Sequence, residues 1–141
     1  MRLKTNFMKK SIHLLISIII ITVFITCSKK GGGGGTSKED NIAFTIDASN
    51  GSILPGSSFS FNAKLTSAMP AQGIKIEITA NDDVSGSNIT PQNAAVQSSS
   101  ITTSVSVINL PQQKWVDVTV RVSSVATPTN YATQTFKVVY K

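Results

Sequence analysis

The sequence predicts an all-β fold, an antiparallel β-sandwich of about seven strands. Three observations predict it. Apolar and polar residues alternate with period two again and again between Ile42 and Tyr140, the signature of a half-buried strand. Turn signals interrupt the alternation every 8–15 residues. Thr, Ser, Val and Ile are abundant and no segment carries a helical period, as pleated surfaces favour.

The elements follow in order. Ile42, Phe44 and Ile46 alternate with Ala43, Thr45 and Asp47, and Asn50-Gly51-Ser52 marks a turn. Leu54-Pro55-Gly56 is a second break. Phe59, Phe61, Ala63 and Leu65 then alternate with Ser60, Asn62, Lys64 and Thr66. After the Met69–Gly73 turn, Ile74, Ile76, Ile78 and Ala80 oppose Lys75, Glu77 and Thr79. Asn81-Asp82-Asp83 closes that strand, because Asx side chains cap turns. Residues 84–100 read as a long loop or an edge strand. Ile101, Thr103, Val105 and Val107 resume the pattern, and 109–113 is a loop. Val116, Val118, Val120 and Val122 form the cleanest core face, against Asp117, Thr119, Arg121 and Ser123. Thr127-Pro128-Thr129-Asn130 turns the chain into a last strand carrying Phe136, Val138 and Tyr140. Val139 makes that strand apolar on both faces, so it is either a buried strand or an exposed edge open to a partner strand.

About 100 residues in about seven alternating strands resemble an immunoglobulin-like or fibronectin-type module of bacterial proteins. The alternation implies antiparallel sheets with one wet face each. The resemblance is at fold level. The disulfide of antibody domains is missing, and Trp115 lies on a late strand. An eight-stranded jelly roll is the alternative topology.

The first 40 residues are of another kind. Lys9 and Lys10 precede an apolar run from Leu14 to Thr26, and Cys27, the single cysteine, follows it. Ser28-Lys29-Lys30 and five glycines, Gly31 to Gly35, come next. The run suits a signal h-region of roughly 7–15 residues better than a spanning helix of about 20. Basic head, apolar middle, cysteine and flexible tether resemble a bacterial lipoprotein signal peptide, in the looser form of Bacteroidetes-type bacteria. Phe24 and Thr26 stand where the usual motif has Leu and a small residue. The resemblance implies cleavage before Cys27 and lipidation of Cys27, with palmitate or similar acyl chains holding the protein to a membrane. At about 0.8 kcal/mol per buried CH₂, two or three chains hold firmly. Ser28 after the cysteine implies the outer membrane, while Lys29-Lys30 replaces the acidic run of surface-exported relatives. Periplasm-facing and surface-exposed positions both stay open. An uncleaved anchor is the alternative. The expected organisation is a signal peptide over 1–26, the lipidated cysteine and tether over 27–40, and the sandwich over 41–141. The tether Ser28–Asp40 has a reach on the order of 20 Å.

Charge and composition then exclude function classes. The formal charge is +6, but four of the 13 basic residues fall in the signal segment. Nine remain against seven acidic, with no cluster to neutralise phosphates, so no nucleic-acid partner is expected. The single histidine, His13, also lies in the signal. The mature chain thus lacks the common general base, the common metal ligands and, after lipidation, a free thiol. No cofactor is expected.

The remaining candidates are few. Glu77 and Asp117 sit mid-strand on outward faces and could act as a carboxylate pair; the plainer expectation is solvated charges paired with Lys75, Lys64 or Arg121. Asp82 and Asp83 are weak candidates for a calcium loop, against the reading of a polar turn. Trp115, Tyr131 and Tyr140 are candidate ligand-binding aromatics. The parity of Trp115 turns it away from the valine row. Burial over the end of the sandwich, under Leu110-Pro111, is the favoured reading for it, and packing on a neighbouring loop for Tyr131. The expected function is a non-catalytic, lipid-anchored module that binds an envelope protein or glycan or serves as a spacer. The alternatives are a carbohydrate-binding module using Trp115 and a small carboxylate-dependent hydrolase. Fold alone does not choose among them.

Overall fold

Period two becomes strand structure in eight places: β1 Phe44–Ile46, β2 Ser52–Leu54, β3 Phe59–Leu65, β4 Ile74–Asp82, β5 Val96–Ser98, β6 Thr102–Val107, β7 Trp115–Ser124 and β8 Tyr131–Tyr140. They belong to a computed structural model that describes residues 38–141. The expected signal segment 1–26, Cys27 and the tether as far as residue 37 lie outside the described residues.

The strands form two sheets, ordered β1-β3-β6 and β2-β8-β7-β4-β5. The fold is the all-β sandwich the sequence predicts, with one difference in detail. Between the two turn signals lies a short strand, β2, that joins the other sheet: β1 pairs β3, while β2 pairs β8 and runs parallel to it. The cause is the Asn50-Gly51 turn. Gly51 adopts φ +80°, a left-handed conformation that glycine takes without steric cost. Its N–H donates to Lys137 O at 2.8 Å, and Asn50 Oδ1 accepts from Lys137 N at 2.8 Å, so the turn docks on β8. Of the two readings for β8, the structure has the flanked strand where Val139 lies: β7 pairs its length on one side, and β2 pairs Val138, Val139 and Tyr140 on the other.

The inward faces are Phe61, Ala63, Leu65, Val105 and Val107 on one sheet, and Ile74, Ile76, Ala80, the four β7 valines, Phe136 and Val138 on the other. Val116, Val118 and Val120 are wholly inaccessible to solvent. Burying such a side chain contributes about 1.5–3 kcal/mol. Phe61 meets Phe136 edge to face across the sheets, at 5.0 Å and 76°, and Phe59 meets Phe136 at 6.2 Å. Such pairs add about 0.5–1.5 kcal/mol beyond their area.

Residues 84–95 are a loop, and β5 is the edge strand that follows it. Side-chain amides hold the loop where backbone pairing is absent. Gln92 donates to Ile89 O and Ile108 O and accepts from Ile108 N at 3.0 Å. Asn93 donates to Ser106 and Asn109 to Pro91 O. A similar clamp fixes the start of the domain. Asn130 Oδ1 accepts from Ile42 N, Asn130 Nδ2 donates to Asp40 O, and Gln134 donates to Phe44 O.

The β4–β5 hairpin edge depends on Gly73. Its φ is +80°, and a Cβ there would stand 2.6 Å from the Ser98 carbonyl oxygen. Gly73→Ala is therefore expected to destabilise the domain by more than about 1 kcal/mol, from left-handed strain and from the clash with β5. Urea unfolding followed by circular dichroism checks this; an unchanged midpoint would refute the close approach.

Candidate functional site

The outer face of the five-stranded sheet carries most of the singled-out side chains. Register arranges them in rows across the strands. At one end stand Ile53, Val139 and Trp115. Next come Lys137, Asp117 and Asn81, then Thr135, Thr119 and Thr79, then Thr133, Arg121 and Glu77. Tyr131, Ser123 and Lys75 form the far row, beside the β7–β8 turn.

Trp115 lies on this outer face and is 42% exposed. This corrects the expectation that Leu110-Pro111 buries it at the end of the sandwich. Leu110 is itself a core residue, held by its N–H to Ser57 O. Trp115 instead sits beside Val139, with Ile53 on the other flank of Val139. Ile53 is 60% exposed, whereas Val139 is only 5% exposed. The apolar β8 residue that the sequence left unplaced is thus the covered centre of a short apolar row.

Tyr131 and Tyr140 do not join Trp115. Tyr131 shares its face but lies eight positions away along β8, roughly 26 Å at strand rise. Its ring, 53% exposed, carries the Arg121 guanidinium 4.4 Å from its centroid. Tyr140 has the opposite parity and packs against the core. The three aromatics form no common platform.

The carboxylates are separately engaged. Glu77 accepts from Lys75 Nζ at 2.6 Å and Arg121 Nη1 at 2.7 Å, and these bonds lower its pKa, Lys75 first. Asp117 faces Lys137 at 3.7 Å, and Lys137 bonds Asp83 at 2.5 Å. That bond to Asp83 is the main cause raising the Lys137 pKa. Asp117 is opposite Asn81 and Glu77 opposite Arg121, four positions apart, so about 13 Å separates their backbones. Glu77, Asp117 and Asp82 do not converge. Asp47, at the end of β1, binds the backbone and side-chain N–H groups of Asn62 at 2.7 and 2.8 Å, which lowers its pKa.

Asp82 is the buried member of the Asn81-Asp82-Asp83 turn. Its Oδ1 accepts from Ser85 N, Ser85 Oγ and Val84 N at 2.9–3.1 Å, and Oδ2 faces Lys114 Nζ at 3.3 Å. The Ser85 bonds, with Lys114 and Val84, hold its pKa down at about 2. Oxygen lone pairs that would ligate calcium are thus occupied by the turn and Lys114, and Asp83 by Lys137. Among the described residues, no three of His, Cys, Asp and Glu converge to hold a metal ion.

Two depressions border Trp115. One, about 450 Å³, is lined by Ile53, Gln113, Val139 and Lys141 as well. The other, about 260 Å³, is lined also by Asn50, Gly51, Asp83 and Lys137. Of these residues sequence reasoning singled out only Asp83 and Trp115 as candidates. Ile53 stands in a three-residue strand between two turn signals, too short for a period to be read, and only the parallel pairing of β2 with β8 brings it to the site.

The Asp82 geometry sets a pH dependence. Its folded pKa is depressed below the ordinary carboxylate value of 3.8, so its contribution is complete above that value and is lost as pH falls through about 2. The stability difference between wild type and Asp82→Asn should be constant above about pH 5 and shrink steadily towards pH 2. Urea titrations at successive pH values measure it, and a difference independent of pH would contradict the turn assignment. In comparisons with known proteins, no family model matches this chain, and neither does any curated protein.

Proposed function

We propose that the chain is a lipid-anchored bacterial envelope protein whose immunoglobulin-like domain is a non-catalytic binding module, with its binding surface around Trp115. The observation that carries this reading is the polarity of the domain. Asn130 clamps residues 40–42 beside the β7–β8 turn, and the Trp115 row lies at the other end of the same two strands. A chain held at one end by its tether presents the opposite end, and that end bears the half-exposed tryptophan. The segment Lys9-Lys10, Leu14–Thr26, Cys27 and Gly31–Gly35 supplies the anchor in this reading.

The division of strands supports the immunoglobulin-like assignment. β3 and β6 lie in one sheet and β4, β7 and β8 in the other, as strands B and E divide from C, F and G. β5 beside β4 corresponds to the added strand of variable-type domains. The hydrolase reading has less support, because Glu77 and Asp117 stand four register positions apart and each is paired with a cation.

Two measurements test the proposal. Labelled palmitate is expected in the full chain and absent from Cys27→Ser; equal labelling would remove the anchor. With a photoreactive residue in place of Gln113, irradiated cells should yield an adduct whose amount falls several-fold in Trp115→Ala. An adduct yield insensitive to Trp115 would remove the binding surface.

A further inference from the structure

Trp115 forms a ridge between its two depressions. On one side the lining is apolar at Ile53 and Val139 and polar at Gln113 and Lys141. On the other side every neighbour is polar or lacks a side chain: Asn50, Gly51, Asp83 and Lys137. At Gly51 a Cβ would meet nothing within 4 Å, so glycine leaves this side open to backbone level. Asn50 uses its Oδ1 on Lys137 N and keeps its amide N–H groups for another acceptor. Asp83 and Lys137, bonded to each other at 2.5 Å, offer an acceptor and a donor at the surface.

We propose that this ridge binds a glycan, one pyranose ring stacking its C–H face on the exposed indole while Asn50, Asp83, Lys137 and Gln113 hydrogen-bond its hydroxyls. The proposal rests on the reading of Trp115 as the binding surface and names the ligand class. Three arguments select a sugar. A rigid aromatic face with a polar flank at Asn50, Asp83 and Lys137 matches a ring that is apolar on its faces and polar round its rim. The larger depression falls within the roughly 300–1,000 Å³ of small-ligand sites. The apolar row is too small for a protein partner, which covers about 800 Å² per side around an apolar centre. Here Val139 is covered, leaving Ile53 and Trp115 as the exposed apolar members, and charged pairs begin in the next row.

Trp115 is the single tryptophan of the chain, so its fluorescence reports this site alone. The full chain, in a polyoxyethylene detergent without a sugar headgroup, is titrated with hexaoses of β-1,4-glucose, α-1,4-glucose, β-1,4-mannose and β-1,4-N-acetylglucosamine. At least one should give a saturable blue shift. Calorimetry with that sugar should show binding weakened at least tenfold in Trp115→Ala, partly restored in Trp115→Tyr, and unchanged in Tyr131→Ala at the opposite end. Matching melting temperatures exclude unfolding as the cause. Silence towards all four sugars, or undiminished binding by Trp115→Ala, overturns the glycan assignment. The binding-surface reading fails separately, on a cross-linking yield that ignores Trp115.

Discussion

β7 is the strand on which both halves of the larger sheet register. It pairs β4 from Asp82 opposite Val116 to Ile74 opposite Ser124, and β8 from Val139 opposite Trp115 to Tyr131 opposite Ser123. Its even-numbered valines, Val116 to Val122, are the central buried row. The domain has no disulfide to staple it, because the chain's one cysteine lies outside it. Cohesion must come from apolar packing between sheets, and the valine row with Phe61 against Phe136 supplies its centre. A one-residue slip of β7 would send every valine to solvent and draw Asp117 and Arg121 inward, so the register is strongly specified.

That same constraint dictates the outer face. With the even residues committed to the core, Trp115, Asp117, Thr119 and Arg121 must point outward, each into a row completed by β4 and β8. The rows differ in chemistry because the partner strands do. Arg121 meets Glu77 on β4, Pro128 O in the turn and the Tyr131 ring, which ties the β7–β8 turn to the sheet. Such partly exposed ion pairs add about a kcal/mol or less, so they orient rather than hold. At the other end Trp115 stands in a row with Val139 and Ile53, with the Asp83–Lys137 pair on its polar side.

How much of this was legible in the sequence depended on strand length. The long alternations of β3, β4, β7 and β8 gave their core faces directly, down to Ala63, Ala80 and Val138. Three-residue strands carry too little pattern, so β2 was invisible, and with it the crossing from one sheet to the other at Gly51. β5 was legible only as a loop or edge strand, because its stability comes from pairing with β4 and from the amide clamps around Gln92 and Asn93. Parity also failed at Ser123. It falls on the outward side of β7, yet it is buried, its hydroxyl without a partner among the described residues. Its register neighbours are the long side chains of Lys75 and Tyr131, which periodicity cannot weigh. At the candidate site, parity placed Trp115 outward, but general preference for burying large aromatics pointed the other way. The local geometry decided, since Leu110 takes the core position at that end.

The two ends of the sandwich are therefore chemically distinct for one reason, the antiparallel hairpin of β7 and β8. The turn end gathers the amide and ionic clamps of Asn130, Arg121 and Glu77, and it receives the chain from residue 40. The open end leaves Trp115 beside two depressions, some 26 Å along the strands from the Tyr131 row. In the proposed anchored state, the tether attaches at the turn end and the recognition surface lies at the open end.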